Sequence, residues 1–169
     1  MRRAVLALGL MLSLPAFAGS LREPVLAALG GVEDVPTAAD LQGLGDNVPA
    51  ELLEIAQDSS LSHTTRARAV IALGWFPNEP SRSWLVGTLG GGDGILARKA
   101  AFALATGWGD EAVPLLQPAL AADDVQLRLA AVRALGRVDS VRARASLDQR
   151  LAVETNATVQ DTIRKTLAR

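Results

Sequence analysis

The chain has 169 residues, 49% of them hydrophobic and 4% aromatic, with no cysteine and a formal net charge of −1. The lack of cysteine excludes disulfides, thiolate catalysis and cysteine metal sites together. The absence of a strongly basic balance argues against a nucleic-acid partner.

In chain order, Arg2 and Arg3 form a short basic start. An apolar run from Ala4 to Phe17 follows, and Ala16-Phe17-Ala18 has the small-x-small form read by signal peptidase. Residues 1–18 therefore read as a secretory signal with cleavage expected after Ala18. The run is shorter than the about 20 apolar residues a spanning helix needs, so no stable membrane span is expected after cleavage. This predicts a periplasmic or secreted protein whose mature part, residues 19–169, is one domain.

A first helix is expected over 21–29, ended by Gly30 and Gly31. Thr37 and Asp40 have the spacing of a capping box. They open a worn unit with Leu41, Leu44 and Gly45 in its first helix and a second helix over 49–57. Three clear units follow, each a helix A, a turn and a helix B. They are expected at 63–74 and 80–89, at 95–105 and 112–121, and at 124–136 and 140–152. A lone A helix over 158–167 closes the series.

The units recur at one fixed period, the step from Leu73 to Leu104 and again from Leu104 to Leu135. Those three leucines form one column. Leu85, Leu116 and Leu147 form a second with the same step, and Leu89, Leu120 and Leu151 a third. Ala69, Ala100 and Ala131 run beside them, as do Ala72, Ala103 and Ala134. Within a unit the apolar residues follow helical spacing, and no stretch shows the strict alternation of a strand. The expected fold is all-α, an α-solenoid of antiparallel helix pairs with about four two-helix repeats plus terminal cap helices. Alanine on helix A lets consecutive units approach closely.

Punctuation fits these boundaries. Gly74 and Gly136 follow the last leucine of their A helices, where a left-handed C′ residue is expected. Asp110, Asp123 or Asp124, and Asp139 stand where helices are expected to begin. Gly90 to Gly94 lacks the Lys-Ser/Thr ending of a phosphate loop and reads as a linker. Pro118, four residues after Pro114, should bend or loosen its B helix.

Two stretches carry the pattern most fully: Arg66 to Gly74, and Asp124 to Gly136. With Ala112-Val113-Pro114-Leu115-Leu116 they resemble HEAT-type repeats, of the short subtype found in phycobilisome-lyase-like proteins. The resemblance is strong over about 63–152. It implies a binding scaffold or adaptor, with B helices along the concave face. It also implies structural roles for Arg66 and Arg128, which tie adjacent units. Ala97 occupies the aligned position of the second unit, with Arg98 beside it, so an irregularity is expected there.

No specific catalytic signal is present. His63 is the only histidine, so neither a zinc site nor a triad can be assembled around a second one. The chain is therefore read as a non-enzyme with no cofactor and no metal. Candidate partner-binding residues are Trp75 and Trp108 in the A–B turns, Trp84 on a B helix, and Arg137, Arg142 and Arg144 of the third clear unit. Tryptophan and arginine dominate interface hot spots; the other reading of the tryptophans is that they cover the edges of a thin core. Residues 19–65 carry a net charge of −7 and residues 66–169 a net of +4. The two ends of the stack then differ in sign, which reads either as drift in a solvated surface or as fitting an acidic protein or peptide partner, or weak head-to-tail association of a monomer. The expected function is a protein-interaction scaffold in the cell envelope. The alternative is an accessory or chaperone-like factor for an enzyme.

Overall fold

The structure, a computed structural model, describes residues 21–31 and 36–169. The expected signal sequence lies outside the described residues. Among those described, every regular element is helical. The α-helices are α1 (Arg22–Gly30), α2 (Ala38–Gln42), α3 (Val48–Gln57), α4 (His63–Leu73), α5 (Glu79–Leu89), α6 (Gly94–Trp108), α7 (Ala112–Leu115), α8 (Gln117–Leu120), α9 (Val125–Val138), α10 (Val141–Val153) and α11 (Ala157–Leu167). A 3₁₀ turn over Gly109–Glu111 leads into α7.

The helices stack as a two-layer solenoid. The A helices α4, α6, α9 and α11 pack directly on one another, and each also receives the preceding B helix: α3 on α4, α5 on α6, α8 on α9, α10 on α11. The leucine columns fill the space between layers. Leu73, Leu104, Leu135, Leu85, Leu116 and Leu147 are all at most 1% exposed. The two alanine columns are equally buried, and they let α4, α6 and α9 lie close together.

Between α4 and α6 the close approaches are between backbones. A Cβ on Gly74 would lie 2.7 Å from the Ala103 carbonyl oxygen, and one on Gly107 would lie 2.9 Å from the Gly74 carbonyl oxygen. Gly74 therefore serves interhelical contact. Its φ of −67° is ordinary right-handed helix, not the left-handed cap expected from its position. Gly136 is corrected likewise: α9 runs through it to Val138, and a Cβ there would meet the Thr166 methyl of α11. The left-handed residue ending α9 is Asp139, at φ 48°. That displaces the expected N-cap by one: Ser140 caps α10, accepting from the Ala143 N–H.

Thr37 and Asp124 cap where the sequence implies, whereas Asp110 lies inside the 3₁₀ turn and caps no helix. Thr37 and Asp40 close a reciprocal capping box, with Thr37 N–H donating to Asp40 at 2.8 Å and Asp40 N–H to Thr37 at 3.3 Å. Asp124 caps α9, accepting from the Gln126 N–H at 2.8 Å. Asp93, within the glycine-rich linker, caps α6 through the N–H groups of Ile95 and Leu96. Pro118 acts as expected: the B helix is broken at Leu116 into α7 and α8. Proline has no N–H to continue the ladder, and its ring crowds the carbonyl four residues earlier.

Arginines tie the units in series. Arg66 donates to the Ala56 carbonyl and reaches Asp93 at 3.9 Å. Arg98 takes up the same duty toward Asp124 at 4.0 Å, so the ladder continues through the irregular unit at its longest reach. Arg128 donates to the carbonyls of Ala122 and Asp123 and grips Glu154. At the N-terminal end Arg22 pairs with Glu51 and Asp58, and Arg68 donates to the carbonyls of Leu29 and Gly31, closing the end of α1.

Candidate interaction surface

The six sequence-predicted partner residues do not form one site. Trp75 follows α4 and is half-buried against the core. Trp108 is also half-buried there, but as the last residue of α6 rather than part of a turn. Trp84 lines an open groove of about 610 Å³ with Pro80, Thr88, Gly91 and Leu96, rimmed by Arg66 and Asp93. A second groove of about 390 Å³ shares Pro80 and is lined by Pro49, Leu53, Asp46 and Glu54. The B side of α5 is thus indented on both flanks.

Two of the three predicted arginines are engaged within the chain. Arg142 lies 3.4 Å from Asp110. Arg144 pairs with Asp139 at 3.0 Å and donates to the Leu167 carbonyl at 3.1 Å, closing the C-terminal turn of α11. Arg137 differs: its guanidinium carbon stands 5.0 Å from the centre of the Phe102 ring. That is cation–π geometry.

Arg137 leads to a surface that sequence reasoning missed. On the outer side of the A layer, a groove of about 450 Å³ runs between α6, α9 and α11, lined by Phe102, Arg133, Arg137, Asp161, Lys165 and Arg169 among others. A second, of about 440 Å³, is lined by Ile95, Arg98, Lys99, Phe102, Gln126, Ala130 and Arg133. Phe102 and Arg133 belong to both, so the two are lobes of one strip. Asp161 is held by Lys165 at 2.7 Å and Arg98 is committed to Asp124. Lys99, Arg133 and Arg137 have no carboxylate within ion-pair distance among the described residues. The repeat register contained a signal for this strip. Phe102 and Arg133 are separated by one repeat, the same step as Leu104 and Leu135. Both therefore occupy the same outward position of successive A helices.

The ionisable groups that shift are held by caps, turns and the arginine ladder. Burial would raise the Glu154 pKa, but hydrogen bonds from Arg128, the Asn156 N–H and Arg150 outweigh it and hold the carboxyl at about 2. Asp93 is lowered, first by the Leu96 N–H, with His63 at 3.3 Å and Arg66 adding to the effect against desolvation. His63 starts α4 beside this carboxylate. The described residues contain no group of three or more His, Cys, Asp or Glu side chains able to hold a metal ion. No helix among them is long and apolar enough to cross a membrane.

Stacked helical pairs with open outer grooves define an α-solenoid of the repeat-scaffold class. Residues 83–168 match HEAT repeats, and the chain belongs to that family. The matched region starts inside α5 and runs into α11, so it takes in the final A helix that repeat counting treats as a cap. No curated protein matches the chain.

Proposed function

We propose that the chain is a non-enzymatic interaction scaffold of the cell envelope, exported by the signal at residues 1–18 and binding a protein partner. Its short period, the step from Leu73 to Leu104, favours the compact, phycobilisome-lyase-like subtype of HEAT repeat. The observation that carries the reading is the continuous A-layer strip crossing α6, α9 and α11, lined by side chains that depart from the leucine–alanine ladder. A solenoid binds along its surface, where each unit adds contact area to its neighbour's. Of the sequence-predicted residues, Arg137 on this strip and Trp84 on the opposite layer face open grooves, and these two remain as candidate contacts.

Affinity capture of the full chain from an envelope extract, quantified by mass spectrometry, tests this. One partner retained at fixed stoichiometry supports the scaffold. A transient client that leaves with a new modification would replace it by the accessory-factor reading. N-terminal sequencing of the mature protein tests export, with Gly19 expected as the first residue.

A further inference from the structure

We infer that the A-layer strip docks an acidic peptide segment carrying one apolar side chain, a deepening that rests on the scaffold reading above. Three cations on the strip, Lys99, Arg133 and Arg137, have no anionic partner among the described residues. The one carboxylate lining the larger lobe, Asp161, is already occupied by Lys165. A like-signed cluster of this kind is held against its own repulsion and is relieved by an anionic ligand. Arg142 and Arg144, by contrast, have found a carboxylate and a helix end.

An apolar feature points independently to the same occupant. Phe102 sits half-buried where the two lobes meet, with Ala130 lining the smaller lobe and Ile95 left 44% exposed at its edge. An aromatic floor between cations accepts an aliphatic or aromatic anchor flanked by carboxylates. The shape selects a peptide over a bilayer. Both lobes are concave, whereas an anionic membrane is flat and engages protruding cations.

The test is fluorescence anisotropy on the full chain with a labelled synthetic peptide of glutamates flanking a central leucine. The chain binds this peptide. It binds the glutamine counterpart, and the same glutamate peptide at high salt, about tenfold more weakly or worse. The double variant R133Q/R137Q loses about tenfold in affinity. Both side chains are exposed, so helicity by circular dichroism stays unchanged. Phe102→Ala binds the leucine peptide only as well as a peptide with alanine at the centre. Equal binding of the glutamine peptide, or indifference to R133Q/R137Q, overturns the inference. Tighter binding of phosphatidylglycerol vesicles or of a single-stranded oligonucleotide through the same arginines also overturns it. Capture of a neutral protein partner that R133Q/R137Q does not weaken removes this docking site and leaves the scaffold reading standing.

Discussion

Arg128 holds Glu154 by two parallel bonds, Nε to Oε2 at 3.0 Å and Nη2 to Oε1 at 3.1 Å, with both side chains nearly sealed from water. Glu154 also accepts from the N–H groups of Thr155 and Asn156 and from Arg150. One carboxylate thereby joins α9, the end of α10 and the start of α11.

The pH dependence of stability follows from this clasp. The folded pKa of Glu154 is about 2, against 4.5 for the ordinary carboxyl. A depressed folded pKa gives stability that is fully present above the unfolded value and is lost as pH falls through 4.5 toward 2. The contribution is about 3 kcal/mol at neutral pH. Denaturant titrations across that window should show Glu154→Gln less stable than the parent at pH 7 and converging with it in acid. Arg128→Met removes two of these bonds but leaves Glu154 those from Arg150 and the Thr155 and Asn156 N–H groups, so it should cost about 2–3 kcal/mol at pH 7.

A methyl group at Gly74 has no room. It would press on the carbonyl and Cα of Ala103, which are backbone and cannot rotate aside. Gly74→Ala should therefore cost about 1–3 kcal/mol, the range for overpacking, despite alanine's better helix propensity. Gly136→Ala meets only the Thr166 side chain, which can turn away at the cost of its bond to the Thr162 carbonyl. Its penalty should be smaller. Thermal denaturation of the two variants side by side checks the order, and an equal or greater loss for Gly136→Ala would contradict it.

Ser81 is the misfit of an otherwise alanine column. Its equivalents in the next two units are Ala112 and Ala143. All three are at most 1% exposed, and the Ser81 hydroxyl has no hydrogen-bond partner. Replacing a buried unpaired hydroxyl by hydrogen removes a desolvation penalty. The cap, in which the Asn78 side chain accepts from the Ser81 main-chain N–H, does not use the hydroxyl and survives. Ser81→Ala should raise stability by about 1 kcal/mol, read as a higher denaturant midpoint at constant slope.

The ladder is legible in the sequence because one physical constraint repeats it. In every unit a leucine must fill the space between layers and an alanine must admit the next A helix. The break at Pro118 and the box at Thr37 and Asp40 are legible for a related reason: local chemistry decides them. Gly74 misleads because its neighbour is Ala103 of another unit, and a glycine after a leucine has the same local pattern whether it turns the chain or admits a backbone. The surface is least legible. The pairing of Arg142 with Asp110, and of Arg144 with Asp139, depends on how α10 sits against its neighbours. Phe102 and Arg133 become neighbours only once α6 and α9 lie side by side.

Arg137 and Arg144 look alike in sequence and should behave oppositely. Arg144 closes α11 through the Leu167 carbonyl and pairs with Asp139, both at the surface. An exposed pair contributes about 0–1 kcal/mol, so Arg144→Ala should scarcely lower global stability. It frees a terminal carbonyl, and hydrogen exchange should quicken over the last turn of α11 while the affinity for the glutamate–leucine peptide holds. Arg137→Gln removes the stacking on Phe102 and leaves the closure of α11 intact. Exchange in α11 should be unaltered and peptide affinity should fall. If Arg144→Ala weakens the peptide as much as Arg137→Gln does, the binding surface reaches around the end of the stack to α10, and the division between ladder and groove is drawn in the wrong place.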